Sequence, residues 1–227
     1  MEFRKLGWLT LSVFFLVFLG TLDSVESKNT PKKIQQPAIK EAKIKGFRSA
    51  RFGMNERDVL KAIAKDFKIS KSKVKRTVHS LEKTKMFTII VPNLIGLGAT
   101  AKIVYLMGYK SKKLMQVNVV WGKGADKPEK KFDAKRVIDA ANFLRNHFVK
   151  KKFVKDGYLA NARLNKTTTI VFRGLDKKGR MAVLSLMVPP TEKGEELETA
   201  RQKITLKLSY MLDPTNVDIF TVKENDF

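Results

Sequence analysis

The chain contains no cysteine. That excludes disulfide staples, thiol nucleophiles, Cys-ligated zinc and a lipobox cysteine, so the fold must rest on its apolar core. Histidine is almost as scarce: His79 and His147 are the only two, far apart, in neither an H-x-x-x-H nor an H-E-x-x-H spacing. No metal site is expected from them. Acidic residues are few as well, 22 Asp+Glu against 46 Lys+Arg.

Catalytic motifs are also missing. There is no G-x-S-x-G elbow and no S-x-x-K accompanied by K-T-G. Ser70-Lys71-Ser72-Lys73 has the S-x-x-K spacing, but it lies in a lysine-rich polar loop without companion motifs. Gly96-Leu97-Gly98 and Gly122-Lys123-Gly124 lack the strand and helix flanks of a phosphate loop and read as turns. The acids cluster at helix starts (Glu56, Asp58, Asp133) and in the loop 192–198, where capping and solvation explain them. The expectation is no enzyme, no cofactor and no metal. An envelope hydrolase is kept as a second alternative, requiring two carboxylates roughly 5–10 Å apart in a cleft.

One long hydrophobic run is present, residues 6–20 (LGWLTLSVFFLVFLG), behind Arg4 and Lys5 and ahead of a polar segment ending at Ser27. A basic head, an apolar stretch and small residues at the cut describe a secretory signal peptide over 1–27, with Val25 and Ser27 at the −3 and −1 positions. The runner-up is an uncleaved anchor in the inner membrane, although 15 residues fall short of the roughly 20 that span a bilayer. Both readings send the body of the chain across a membrane, to the periplasm or outside.

The formal charge is +24. Removing residues 1–27 takes away two bases (Arg4, Lys5) and three acids (Glu2, Asp23, Glu26), which leaves +25. Such an excess attracts lipopolysaccharide, anionic lipid or nucleic acid. It also serves solubility, and the spread of lysine along the whole chain fits that use. Nucleic acid is disfavoured, because base-reading surfaces concentrate Arg and stacking aromatics. Three basic clusters are the candidates for polyanion binding: Lys71, Lys73, Lys75 and Arg76; Lys110, Lys112 and Lys113; and Lys150, Lys151, Lys152 and Lys155. They form one binding surface only if the fold brings them to one face.

Residues 28–46 are basic and proline-punctuated and read as a flexible linker. Asn55 is an N-cap for a helix over 56–67, with Val59, Ala62, Ile63 and Phe67 as its apolar stripe. The polar stretch 69–85 carries no assignable pattern. Residues 86–92, 101–107 and 114–121 alternate as strands of a meander. After a charged linker (122–131), Asp133 caps a second helix whose stripe is Val137, Ile138, Ala141, Leu144 and Phe148. An irregular 153–165 precedes a hairpin, 167–173 and 180–188, and a last strand over 204–210. Helix plus three strands therefore occurs twice. The expected class is α+β, with two helix-plus-three-stranded antiparallel lobes, 47–122 and 132–227. One continuous sheet with both helices on one side is the other arrangement that buries both stripes.

The run Phe52-Gly53-Met54-Asn55-Glu56-Arg57-Asp58-Val59 resembles the G-M-[ST]-x-x-[EQ]-V opening of small envelope proteins of the SmpA/OmlA (BamE-like) type. Residues 46–121, with FGM, GYKSKKL and QVNVVWG, also resemble uncharacterised exported alphaproteobacterial proteins. The resemblance implies a Gly-Met turn opening a helix on a three-stranded sheet, and a periplasmic interaction module. Asn55 stands where that pattern has Ser or Thr, and the second half has no counterpart in the single-domain lipoproteins. The expected function is thus a non-enzymatic binding or scaffold protein of the bacterial envelope. Its partner would be an envelope protein or an acidic envelope component, with membrane contact only through the signal segment. The alternative is an electrostatic binder of a polyanion.

Overall fold

The computed structural model describes residues 39–125, 134–191, 193, 195, 196, 199 and 203–222. The signal segment, Asp133, most of the acidic loop and the last five residues lie outside the described residues. From residue 39 onward the described chain forms one compact α+β unit.

Helix α1 (Glu56–Phe67) begins where its cap dictates. The Asn55 side chain accepts the Asp58 N–H at 3.0 Å, and the helix stops at Lys68, left-handed at φ 57°. A short hairpin, β1 (Gly46–Phe47) and β2 (Ala50–Arg51), precedes it. Gly46 is required at that corner: its φ is +131°, and a Cβ would run into the Ala50 carbonyl oxygen.

Eight strands then make one antiparallel sheet. The first half supplies β3 (Lys75–Val78), β4 (Lys85–Val91), β5 (Ala101–Met107) and β6 (Leu114–Gly122). Helix α2 (Ala134–Val149) opens the second half, followed by β7 (Leu159–Arg163), β8 (Thr168–Leu175), β9 (Met181–Met187) and β10 (Thr205–Met211). The spatial order is β3-β4-β5-β6-β10-β9-β8-β7. Each half is a helix plus a four-stranded meander, and the two meanders are joined by hydrogen bonding of β6 to β10 along seven residue pairs, Thr205↔Gly122 to Met211↔Gln116. The halves expected as two lobes therefore share one sheet. The strand missing from each expectation is the outermost one. β3 and β7 bury no full face and so show no apolar alternation.

Residues directly opposite in an antiparallel ladder share a face. The row Ile89–Ile103–Val119–Leu208–Leu184–Phe172 runs across six strands, each member at most 3% exposed. Val59, Leu60, Ala62 and Ile63 of α1 and Val137, Ala140, Ala141, Leu144 and Phe148 of α2 join that row in a single core cluster. Both helices thus cover the same face. The second helix turns slightly from expectation: Ile138 is exposed and Ala140 takes the inward place. Phe148 stacks on Phe172 at 4.9 Å, and Phe47 of the hairpin meets Tyr210 at 5.8 Å.

The last part of the expected linker is not free. Ala42 and Ile44 are buried, and Ala42 donates its N–H to Lys152 O at 2.8 Å. The buried carboxylate of Asp176 fixes the same segment. It accepts the Ile44 N–H on one oxygen and the Lys178 and Arg180 N–H groups on the other.

Candidate binding face

None of the eight strands of the sheet contains Asp or Glu. Their charged residues are all bases, and the register decides which of these look away from the helices. One outward row is Met86–Leu106–Gln116–Met211–Met181–Leu175. The next is Thr88–Val104–Asn118–Ser209–Val183–Arg173, extended at one edge by Lys75. The third is Ile90–Lys102–Val120–Lys207–Ser185–Ile170. No apolar residue of these rows belongs to the core cluster.

The face is therefore a mixture of aliphatic and thioether side chains with four cations, Lys75, Lys102, Lys207 and Arg173. Lys102 and Lys207 flank Val120 two strands apart, about 10 Å at the usual strand spacing. Met86, Met181, Met187 and Met211, half of the chain's 8 methionines, stand on it. Methionine is unbranched and polarizable and adapts to irregular partner surfaces. Eight strands at about 4.8 Å spacing and roughly 20 Å of ladder give about 700 Å², close to the ~800 Å² that each side contributes to a standard interface. Near its centre Gln116 Nε2 donates to Asn118 Oδ1 at 2.8 Å, while Leu106 and Ser209 are buried.

The sheet edges are less suited to a partner. β3 is four residues long and opens on Lys75 and Arg76. β7 is interrupted by Asn161, at φ 53°, which drops out of the ladder between the Ala160↔Phe172 and Ala162↔Ile170 pairs. Short, charged and interrupted edges resist strand addition.

Of the three expected basic clusters, the first two approach one another around Glu56, through Arg76 and Lys112, and the third follows α2. Lys71 and Lys73 occupy a 3-10 turn before β3. Arg76 approaches Glu56 at 3.8 Å. Lys110, Lys112 and Lys113 occupy the β5–β6 turn, where Lys112 Nζ lies 4.8 Å from the Tyr109 ring centre. The fold adds Lys83 and Lys85 there, around a cavity of about 490 Å³ shared with Glu56, to which Lys85 is paired at 2.8 Å. Lys150, Lys151, Lys152 and Lys155 follow α2 at the β8 end of the sheet, where Val154 bonds to Leu175. Burial, with Lys151 and Lys150 beside it, lowers the His147 pKa, and burial lowers that of Lys151. Of these eleven residues only Lys75 stands on the outward face. Lys102, Lys207 and Arg173 were missed, although Lys102 and Lys207 occupy the polar beats of alternating strands.

A second cavity, about 340 Å³, is lined by two carboxylates, Asp213 and Asp218. Asp213 accepts from Thr215 and Asn216, whose hydrogen bonds hold its pKa down. Burial alone would raise Asp218. The Ser111 hydroxyl, with the Lys110 and Ser111 N–H groups at 2.8 and 2.9 Å, outweighs it and leaves its pKa lowered. A glycosidase pair needs one carboxyl pushed up to hold a proton. Here both are pushed down and fasten turns. Among the described residues no group of three or more metal-ligating side chains gathers, and no helix is long and apolar enough to cross a membrane. No family model, no curated protein and no solved structure matches this chain.

Proposed function

We propose that the chain is a non-enzymatic binding module of the bacterial cell envelope, exported by its leader, which holds a partner protein against the helix-free face of its sheet. The observation that carries this reading is the absence of carboxylates from all eight strands, combined with outward rows that interleave apolar side chains and cations. Charge complementarity then specifies the occupant: a protein surface studded with aliphatic residues and carrying Asp or Glu. A second copy of this chain is a poor occupant, because face-to-face pairing would oppose Lys102, Lys207 and Arg173 with like charges. The leader over 1–27 and the resemblance to envelope proteins support the periplasm as the place of action.

Two amphipathic peptides of equal apolar content, one bearing Glu and one bearing Lys, test the reading in solution. The chain is expected to bind the Glu peptide and not the Lys peptide, and Lys102→Glu with Lys207→Glu should invert that preference. Binding to neither peptide, or a preference untouched by the double reversal, contradicts it. Fractionation separately tests export: a processed chain in the periplasm is expected, and an intact leader on a cytosolic protein rules the location out.

A further inference from the structure

At the far end of β8 and β9, the segment entering β1 and the β8–β9 turn border an open cleft of about 350 Å³. Five cations line it, Lys43, Lys45, Lys177, Lys178 and Arg180, against the two carboxylates Glu41 and Asp176. Three positive charges are left in excess. Both carboxylates are already engaged. Asp176 is 5% exposed and accepts three backbone N–H groups. Glu41 is paired with Lys177, whose hydrogen bond holds its pKa below the usual carboxylate range.

The frame of the cleft is fixed. The Asp176 carboxylate clamps the turn, which passes through Gly179 at φ +73°. Arg180 spends one donor on the Ile44 carbonyl at 3.1 Å and lies over the Phe52 ring at 5.9 Å. A guanidinium has five N–H donors, so its planar fork retains capacity for phosphate oxygens. The volume is at the small end of ligand sites, sufficient for a headgroup and not for an acyl chain.

We propose that this cleft binds a phosphomonoester dianion. The excess of cations matches a doubly charged group better than the single charge of a phosphodiester, and bidentate Arg–phosphate geometry supplies the specificity. The same chemistry is offered by a soluble phosphate ester and by a phosphomonoester lipid headgroup. The site is separate from the outward sheet face and stands whether or not that face binds protein.

Calorimetry of the full-length chain with glycerol 3-phosphate tests the soluble source. Flotation with phosphatidylcholine vesicles containing phosphatidic acid, against vesicles containing phosphatidylglycerol, tests the lipid source. Saturable one-to-one binding in the first assay, or binding to phosphatidic acid over phosphatidylglycerol in the second, supports the site and identifies which source it takes. Lys43→Ser with Lys178→Ser should weaken that binding about tenfold or more, the loss expected from two charge-assisted contacts. Lys71→Ser with Lys73→Ser removes the same charge elsewhere and should leave it unchanged. All four lysines are exposed, so both variants should keep the parent melting temperature. Equal weakening by both pairs, or the absence of both saturable glycerol 3-phosphate binding and a preference for phosphatidic acid, overturns the proposal.

Discussion

Replacing Leu184 with alanine tests whether the two halves unfold as one body. Leu184 is fully buried on β9, opposite Leu208 on one side and Phe172 on the other. Truncating such a leucine removes its transfer free energy and leaves a cavity, together about 3–5 kcal/mol. Taking about 3 kcal/mol and the sensitivity of a domain of this size, the melting temperature should fall by about 6–12 °C. Leu184 is separated by β10 from every strand of the first half, whereas Trp121 lies on β6. With Trp8→Phe as background, Trp121 is the sole tryptophan, and its fluorescence reports β6 at the seam where Leu206 of β10 stands opposite it. If β6 and β10 weld the halves, Leu184→Ala lowers the Trp121 transition and the far-ultraviolet circular dichroism transition by the same amount. A Trp121 midpoint that stays put while the second half melts earlier refutes the single cooperative sheet.

Three further outcomes are expected. Tyr105 is fully buried on the helix face and its hydroxyl has no hydrogen-bond partner among the described residues, so Tyr105→Phe should be neutral or stabilising, within about 1 kcal/mol by denaturant unfolding. Asp176→Ala leaves three N–H groups without an acceptor and should cost about 1–3 kcal/mol in the same assay. Asp218 has a folded pKa below its ordinary 3.8, so its contribution is present above that value and is lost as the pH falls through the lower folded value. The Lys110 and Ser111 amide resonances should therefore shift below pH 3.8, and Asp218→Asn should abolish that titration.

Much of this architecture was legible locally. Asn55 announced α1 because a cap side chain and the stripe Val59, Ala62 and Ile63 point to one helix start. The strands β4, β5, β6, β9 and β10 were legible because each buries one full face and alternates accordingly. β3 and β7 were not, since an edge strand protected by Lys75, Arg76 or Arg163 has the composition of a loop. The joining of β6 to β10 was also hidden. An alternating strand declares that it pairs but not with which partner, and these two are separated by α2 and three strands. The outward face suffered the same limit. Lys102 and Lys207 were visible as polar beats, but only the register Lys102↔Val120↔Lys207 places them in one row. Runs of consecutive lysine drew attention instead, and most of those are turns and helix ends.

The most direct test of the outward face as the working surface is site-specific photo-crosslinking in the cell. A benzophenone side chain is placed at Val104 or Val183 on that face, and at Phe143, exposed on α2, as the control. Adducts to one acidic partner from Val104 and Val183, absent from Phe143 and lost when Lys102→Glu and Lys207→Glu are added, are the predicted result. Adducts from Phe143 alone, or adducts from Val104 and Val183 that persist after the charge reversal, contradict the account.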